Sequence, residues 1–173
     1  MPGPVMAGPC AFEITARGHG CHAAMPHQGV ASIVAGAQLV QALQTLVSRT
    51  LHPCDSAVVS VTQFHGGEAW NIIPEEVVLR GTIRSFNPEV QEAVERAVER
   101  LCNGVAAANG AQIGVHFDHR YPPTVNSVAE AEFCRSVAAE VLGSERVLTD
   151  LLPSMGAEDF AYMLREKPGC YVW

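Results

Sequence analysis

Between Cys10 and His119 the apolar residues change period in a set order, and that order constrains the fold more than any other feature of the chain. Residues 10–17 alternate, with Phe12, Ile14 and Ala16 on one side and Glu13, Thr15 and Arg17 on the other, which reads as a half-buried strand. Val30, Ile33, Val34, Ala37, Val40, Leu43 and Val47 then recur at helical spacing and predict a long amphipathic helix ending near residues 48–50. The Val- and Thr-rich residues 57–64 and residues 76–84 read as two more strands, joined through the His65-Gly66-Gly67 turn and the Trp70-Asn71 segment. Asn87-Pro88-Glu89 offers a capping side chain, a proline at the first helical position and an acid in the first turn. Val90, Val94, Ala97, Leu101 and Val105 make the buried stripe of that second helix, and Gly110 is its stop. Residues 111–119 alternate again. The order β-α-β-β-α-β predicts an α+β domain, a ferredoxin-like sandwich whose strands form one antiparallel sheet with both helices on one face.

The run Tyr121-Pro122-Pro123-Thr124-Val125-Asn126 breaks this pattern, so the expected domains are residues 1–119 and 120–173. Ser127-Val128-Ala129-Glu130 reads as a capping box opening a helix to about Leu142. A short Arg146-Val147-Leu148 strand, a loop from Pro153 to Phe160, a helix to about Leu164 and the start of another strand at residues 169–173 complete the reading. This tail has apolar faces and no sheet of its own to cover them, and it is too short to bury enough surface alone. It is expected to belong to a larger domain.

Composition excludes several classes of function. Eighteen acidic residues against eleven basic ones give a net charge of -7, and Lys and Arg form no stripe, so nucleic acid and anionic membrane surfaces are not expected partners. No stretch approaches the roughly 20 apolar residues of a membrane span, and the first residues lack the marks of a secretory leader. The six cysteines are scattered without a Cys-x-x-Cys pair, which suits reduced thiols and a cytoplasmic protein.

Chemistry is expected in Gly18-His19-Gly20-Cys21-His22-Ala23-Ala24-Met25-Pro26-His27. Two glycines and a proline suit neither a helix nor a strand interior, and the imidazoles titrate near neutrality. A zinc site from His19, Cys21 and His22 is a weaker reading, because neighbours on one loop do not close a tetrahedron unaided. His116 and Asp118 share a strand face and read as an exposed strand end, and Trp70 reads as packing.

The loop Gly18-x-x-x-His22-Ala-Ala-Met-Pro-His27 resembles that of a known family, and three further motifs follow in order: Trp70-Asn71-Ile72-Ile73-Pro74, Gly81-Thr82-Ile83-Arg84, and Pro153-Ser154-Met155-Gly156-Ala157-Glu158-Asp159-Phe160. Together they resemble the metal-dependent amidohydrolases of the hippurate hydrolase, aminoacylase and carboxypeptidase-G type, over nearly the whole chain. The resemblance implies a lid and dimerisation domain followed by a fragment of an α/β zinc-peptidase-like catalytic domain, with most metal ligands and the glutamate base outside these residues. It implies that the intact enzyme is a homodimer paired through the lid. It also implies that such an enzyme uses two divalent ions, zinc, manganese or similar, and hydrolyses N-acyl amino acids such as hippurate. By that resemblance His22 steadies the oxyanion in the partner subunit's active site. Asn71 and Arg84 bind substrate, Arg84 offering a fork for a carboxylate. His27 orients the loop or contacts substrate, and Gly156 and Glu158 line the pocket. The chain alone is then expected to bind neither ion and to be inactive. The alternative is a free-standing ferredoxin-like module that dimerises or binds a small molecule without catalysis.

Overall fold

A computed structural model describes residues 1–173. In chain order the strands and helices are β1 (Gly3–Met6), β2 (Gly8–Arg17), β3 (Cys21–His22), α1 (Ser32–Thr45), β4 (Ala57–His65), β5 (Ile72–Ile73), β6 (Glu76–Ser85), α2 (Pro88–Asn109), β7 (Gln112–His119), β8 (Thr124–Asn126), α3 (Val128–Leu142) and α4 (Ala161–Glu166). No helix is long and apolar enough to cross a membrane. The chain divides into two compact units, one of Cys10–Ile83 with Glu89–His119, the other of Met1–Pro9, Arg84–Pro88 and Arg120–Trp173.

In the first unit four strands lie in the order β4-β6-β2-β7. Strand β2 runs antiparallel to β7 from Cys10↔His119 to Arg17↔Gln112. Alternation sends Phe12 and Ile14 of β2 and Val77, Leu79 and Ile83 of β6 to the same side, where they meet Leu39 and Leu43 of α1 and Val90, Val94 and Val98 of α2 in one cluster. Both helices therefore cover one sheet face, the ferredoxin-like arrangement. The other face is polar, with exposed pairs Arg80–Glu13 and Arg17–Glu76 at 2.6 Å. Helix α2 buries Val90, Val94 and Ala97 as expected, but Val98 and Cys102 complete the buried stripe while Leu101 and Val105 are half-buried. Gly110 ends the helix with φ +68, a left-handed turn glycine makes without strain.

Helix α1 corrects the periodicity reading. Its buried residues are Ser32, Ala35, Gly36, Leu39 and Leu43, while Ile33, Val34 and Val47 are exposed. The helix is apolar on more than one side, so spacing alone selects no face. Packing selects the small one, since a Cβ at Gly36 would lie 3.0 Å from the Phe64 ring and 3.1 Å from Val77. After Thr45 the helix widens into a π-type turn over Leu46–Thr50.

In the second unit β1 pairs antiparallel with β8. Three expectations fail here. Ser144–Arg146 is a 3-10 turn and not the start of a strand. Residues 169–173 form no strand: the backbone bonds of Tyr171 go to a side chain, Asn126 Oδ1 accepting from its N–H at 2.8 Å and Asn126 Nδ2 donating to its carbonyl at 2.9 Å. Ser127 precedes α3 without capping it, and its hydroxyl instead accepts from the Gly169 N–H at 3.2 Å.

Two glycines make opposite predictions. A Cβ at Gly81 would sit 2.1 Å from the Ser60 carbonyl oxygen and 2.4 Å from the Phe12 ring, so Gly81→Ala should cost about 1–3 kcal/mol or more. At Gly104 within α2 a Cβ meets nothing within 4 Å, so Gly104→Ala should add about 0.5–1 kcal/mol. Urea unfolding midpoints of the two variants should move in opposite directions.

Candidate functional site

The histidine loop stands on a narrow neck. The Gly18 N–H donates to the Glu75 carbonyl at 2.7 Å, and His19 and Val30 exchange backbone bonds at 3.1 and 3.0 Å. A Cβ at Gly18 would fall 2.0 Å from the Val30 oxygen, and one at Gly29 2.5 Å from Cys21 Sγ, so only glycine allows the chain to close there. Beyond the neck β3 pairs with β5, Cys21↔Ile73 and His22↔Ile72, and the Ala23 N–H reaches the Asn71 carbonyl at 2.8 Å. Two sequence motifs far apart in the chain thus become one ladder carrying His22 and Asn71.

His22 is exposed, and its ring orientation is set by its own loop. The Ala24 N–H donates to Nδ1 at 3.1 Å, and the Met25 N–H donates to the His22 carbonyl at 2.8 Å. With its Nδ1 lone pair engaged, the neutral ring carries its proton on Nε2, a donor facing outward from the loop bonds. His27 lies in the exposed 3-10 turn Pro26–Gln28 that follows. Cys21 and His22 are successive strand residues, so their side chains leave opposite faces of β3 and do not close on one ion. Trp70, read as packing, is instead fully exposed at the tip of the connection between β4 and β5.

Arg84, Gly156 and Glu158 gather in the other unit. Arg84 Nη1 donates to the Met155 carbonyl at 2.8 Å, which holds the guanidinium beside the turn of Ser154 to Gly156. That turn is stitched to the first strand region, since the Ala7 N–H reaches the Ser154 and Gly156 carbonyls at 3.1 and 3.0 Å and the Ser154 N–H reaches Val5 at 2.9 Å. The Gly156 N–H donates to Ser154 Oγ at 3.0 Å. Glu158 accepts from the Tyr171 hydroxyl at 3.0 Å and from the Asp159 N–H at 3.1 Å. These bonds, Tyr171 first, hold its carboxyl below the usual glutamate range, and the Glu158 carboxylate pushes the Tyr171 phenol up.

Sequence reading missed one constellation. Cys10, Glu95 and His119 bring a thiol, a carboxylate and an imidazole to one place. The β2–β7 register sets Cys10 opposite His119, and Glu95 reaches them from α2, 24 residues before His119 in sequence. Burial first, then Glu95, pushes the Cys10 thiol up to about 12, which makes it a poor nucleophile. His119 was visible only as a strand end, and no spacing linked it to the other two. All six cysteines are unpaired.

Residues 7–109 match the peptidase dimerisation domain of the M20 family, and the sandwich with its glycine-necked loop is a domain of that class. The chain is 36% identical over 171 residues to an N-acetyl-L-cysteine deacetylase of Bacillus subtilis, covering 99% of this chain and 40% of that protein. It is 32% identical over 171 residues to a hippurate hydrolase of Campylobacter jejuni, covering 99% of this chain and 45% of that protein. The crystal structure of a dinuclear metal binding peptidase of the M20 family from Bacillus subtilis superposes with a TM-score of 0.74 at 31% identity, over 98% of this chain and 41% of that one. The chain belongs to the M20 family, whose members are metal-dependent amidohydrolases and peptidases. It spans less than half the length of the curated relatives it matches.

Replacing Tyr171 by Phe should raise the midpoint at which Glu158 titrates, read by NMR. A carboxyl lowered by folding contributes stability above its unfolded value and loses it as pH falls through the folded one. Tyr171→Phe should therefore flatten the acid limb of the stability profile.

Proposed function

We propose that this chain is the dimerisation domain, residues 1–119, and an adjoining catalytic-domain stretch, residues 120–173, of an amidohydrolase that cleaves N-acyl amino acids. Aroyl-glycines such as hippurate are included, and the products are the amino acid and the carboxylate. The two relatives named above share one bond chemistry, an amide between an acyl group and an amino acid nitrogen, and that shared chemistry supports the reading. The observation that carries it is the Ala24 N–H bond to His22 Nδ1, which leaves Nε2–H as the outward donor on an exposed loop.

Attack of water on an amide carbonyl builds negative charge on the oxygen, and a fixed N–H placed where that charge develops lowers the barrier. His22 Nε2–H supplies this donor across a homodimer, in the partner's site. Asn71 binds substrate, and Arg84 is suited to a bidentate contact with the free carboxylate of the amino acid. Gly156 lets the backbone approach the ligand, Glu158 keeps that turn in shape through Tyr171, and His27 contacts substrate from the loop.

The two divalent ions of such an enzyme find no donor set on these loops: His22 Nδ1 is taken by an amide, Glu158 by a phenol and an amide, and Cys21 leaves the opposite face from His22. In this reading the isolated 173 residues are inactive, because the resemblance puts most metal ligands and the glutamate base outside them, and no step here runs through an ion of theirs. The unpaired thiols suit a reducing, cytoplasmic setting.

Strand β4 is the dimer edge. It lies at one end of the sheet, contains no charged residue and exposes Val58 and Phe64, whereas the other edge, β7, carries Asp118. An uncharged edge is a template for a second copy.

In the enzyme containing this chain, His22→Ala should lower kcat about 10²–10³-fold with little change in KM. An unchanged kcat rules out the donor role. Turnover of an N-acyl amino acid by the 173 residues with zinc or manganese added would overturn the assignment of the catalytic half elsewhere. Val58→Lys should shift sedimentation toward monomer at a given concentration, and an undisturbed dimer would move the interface off β4.

A further inference from the structure

We propose that Cys10, Glu95 and His119 form a binding site for one thiophilic divalent cation of the zinc or cobalt type, with the fourth position left to water. The three residues come from β2, α2 and β7, and one ligand atom from each lies within 4.8 Å of the others. A tetrahedral ion with bonds of about 2.0–2.3 Å would hold such atoms roughly 3.3–3.7 Å apart, so modest side-chain movement suffices. His119 Nε2 now stands 2.9 Å from Glu95 Oε1, and an ion would enter by parting that contact.

The donor set selects the ion. Thiolate and imidazole favour zinc and cobalt over magnesium or calcium, and a single carboxylate completes the protein ligands. Access and rigidity are divided between the residues: Cys10 is buried, the Glu95 side chain is 14% exposed, and that of His119 is 62% exposed, free to turn onto an incoming ion. Gln91 Nε2 donates to Glu95 Oε1 at 3.1 Å and orients the carboxylate, the kind of outer hydrogen bond that ligands use.

Charge balance supports occupancy as well. Binding exchanges a proton for the ion, Cys10–SH plus M²⁺ giving Cys10–S–M⁺ plus H⁺, and the Glu95 carboxylate neutralises the remaining charge. The ion would clamp α2 to the β2–β7 seam, a role that needs no turnover.

The probe is cobalt(II) titrated into the 173-residue chain. One equivalent should bind with a thiolate-to-cobalt charge-transfer band and tetrahedral d–d absorption, and zinc should displace it. His119→Gln alters an exposed side chain, so circular dichroism should show an intact fold while affinity falls by more than the roughly 10–100-fold that loss of an outer partner costs. Cys10→Ser should abolish the charge-transfer band, and Cys102→Ser, at a buried thiol elsewhere, should keep it. Absence of the band in the parent chain, or its survival unchanged in folded His119→Gln, overturns the proposal.

Discussion

Phe12 and Gly81 share one space. The Phe12 ring lies on the central strand β2 where a side chain at position 81 of β6 would stand, and the Ser60 carbonyl of β4 closes the same space from the other side. Three strands are thus brought to close register at the one position where β6 has no Cβ. The apolar face they present is continuous enough for α1 and α2 to bury Leu39, Leu43, Val94 and Val98 against it. That burial is the main favourable term available to the first unit, since the ion pairs on the opposite face are exposed and contribute little.

The same use of glycine positions the chemistry. Gly18 and Gly29 let the backbone cross itself at the neck of the histidine loop, and the short β3–β5 ladder then fixes the height of His22 and Asn71 above it. A histidine on a long loop is ordinarily free to adopt either tautomer and many rotamers. Here an amide two residues on removes that freedom, so the loop presents one N–H to its surroundings. Preorganisation of this kind is what a donor to a developing oxyanion requires.

Much of this was legible from residue order. The alternation of residues 10–17 and 111–119, the stripe of α2 and the Gly110 stop all follow local rules, and the strand order of a ferredoxin-like sheet follows from them. The histidine loop stood out because its residue types fit no regular element. What was not legible had physical causes. Helix α1 is apolar on several sides, so only contact with Phe64 and Val77 decided that Ala35 and Gly36, and not Ile33 and Val34, face the sheet. Residues 169–173 read as the start of a strand, yet the Asn126 side chain takes both backbone bonds of Tyr171. Ser127 has the sequence of a cap, yet Gly169 offers its hydroxyl a donor from across the unit.

By itself the sequence determined the main strands and helices of residues 10–119, the family and the identity of the exposed imidazole, because period, turn chemistry and motif order are properties of neighbours along the chain. Only the tertiary structure decided that His22 keeps its proton on Nε2, that Arg84 rests against the turn preceding Gly156, and that Cys10 meets His119 and Glu95. The last two depend on strand register or on a backbone group from another element, and the first on how the loop folds back onto its own ring. Distances of that kind are set by packing, and no spacing along the chain encodes them.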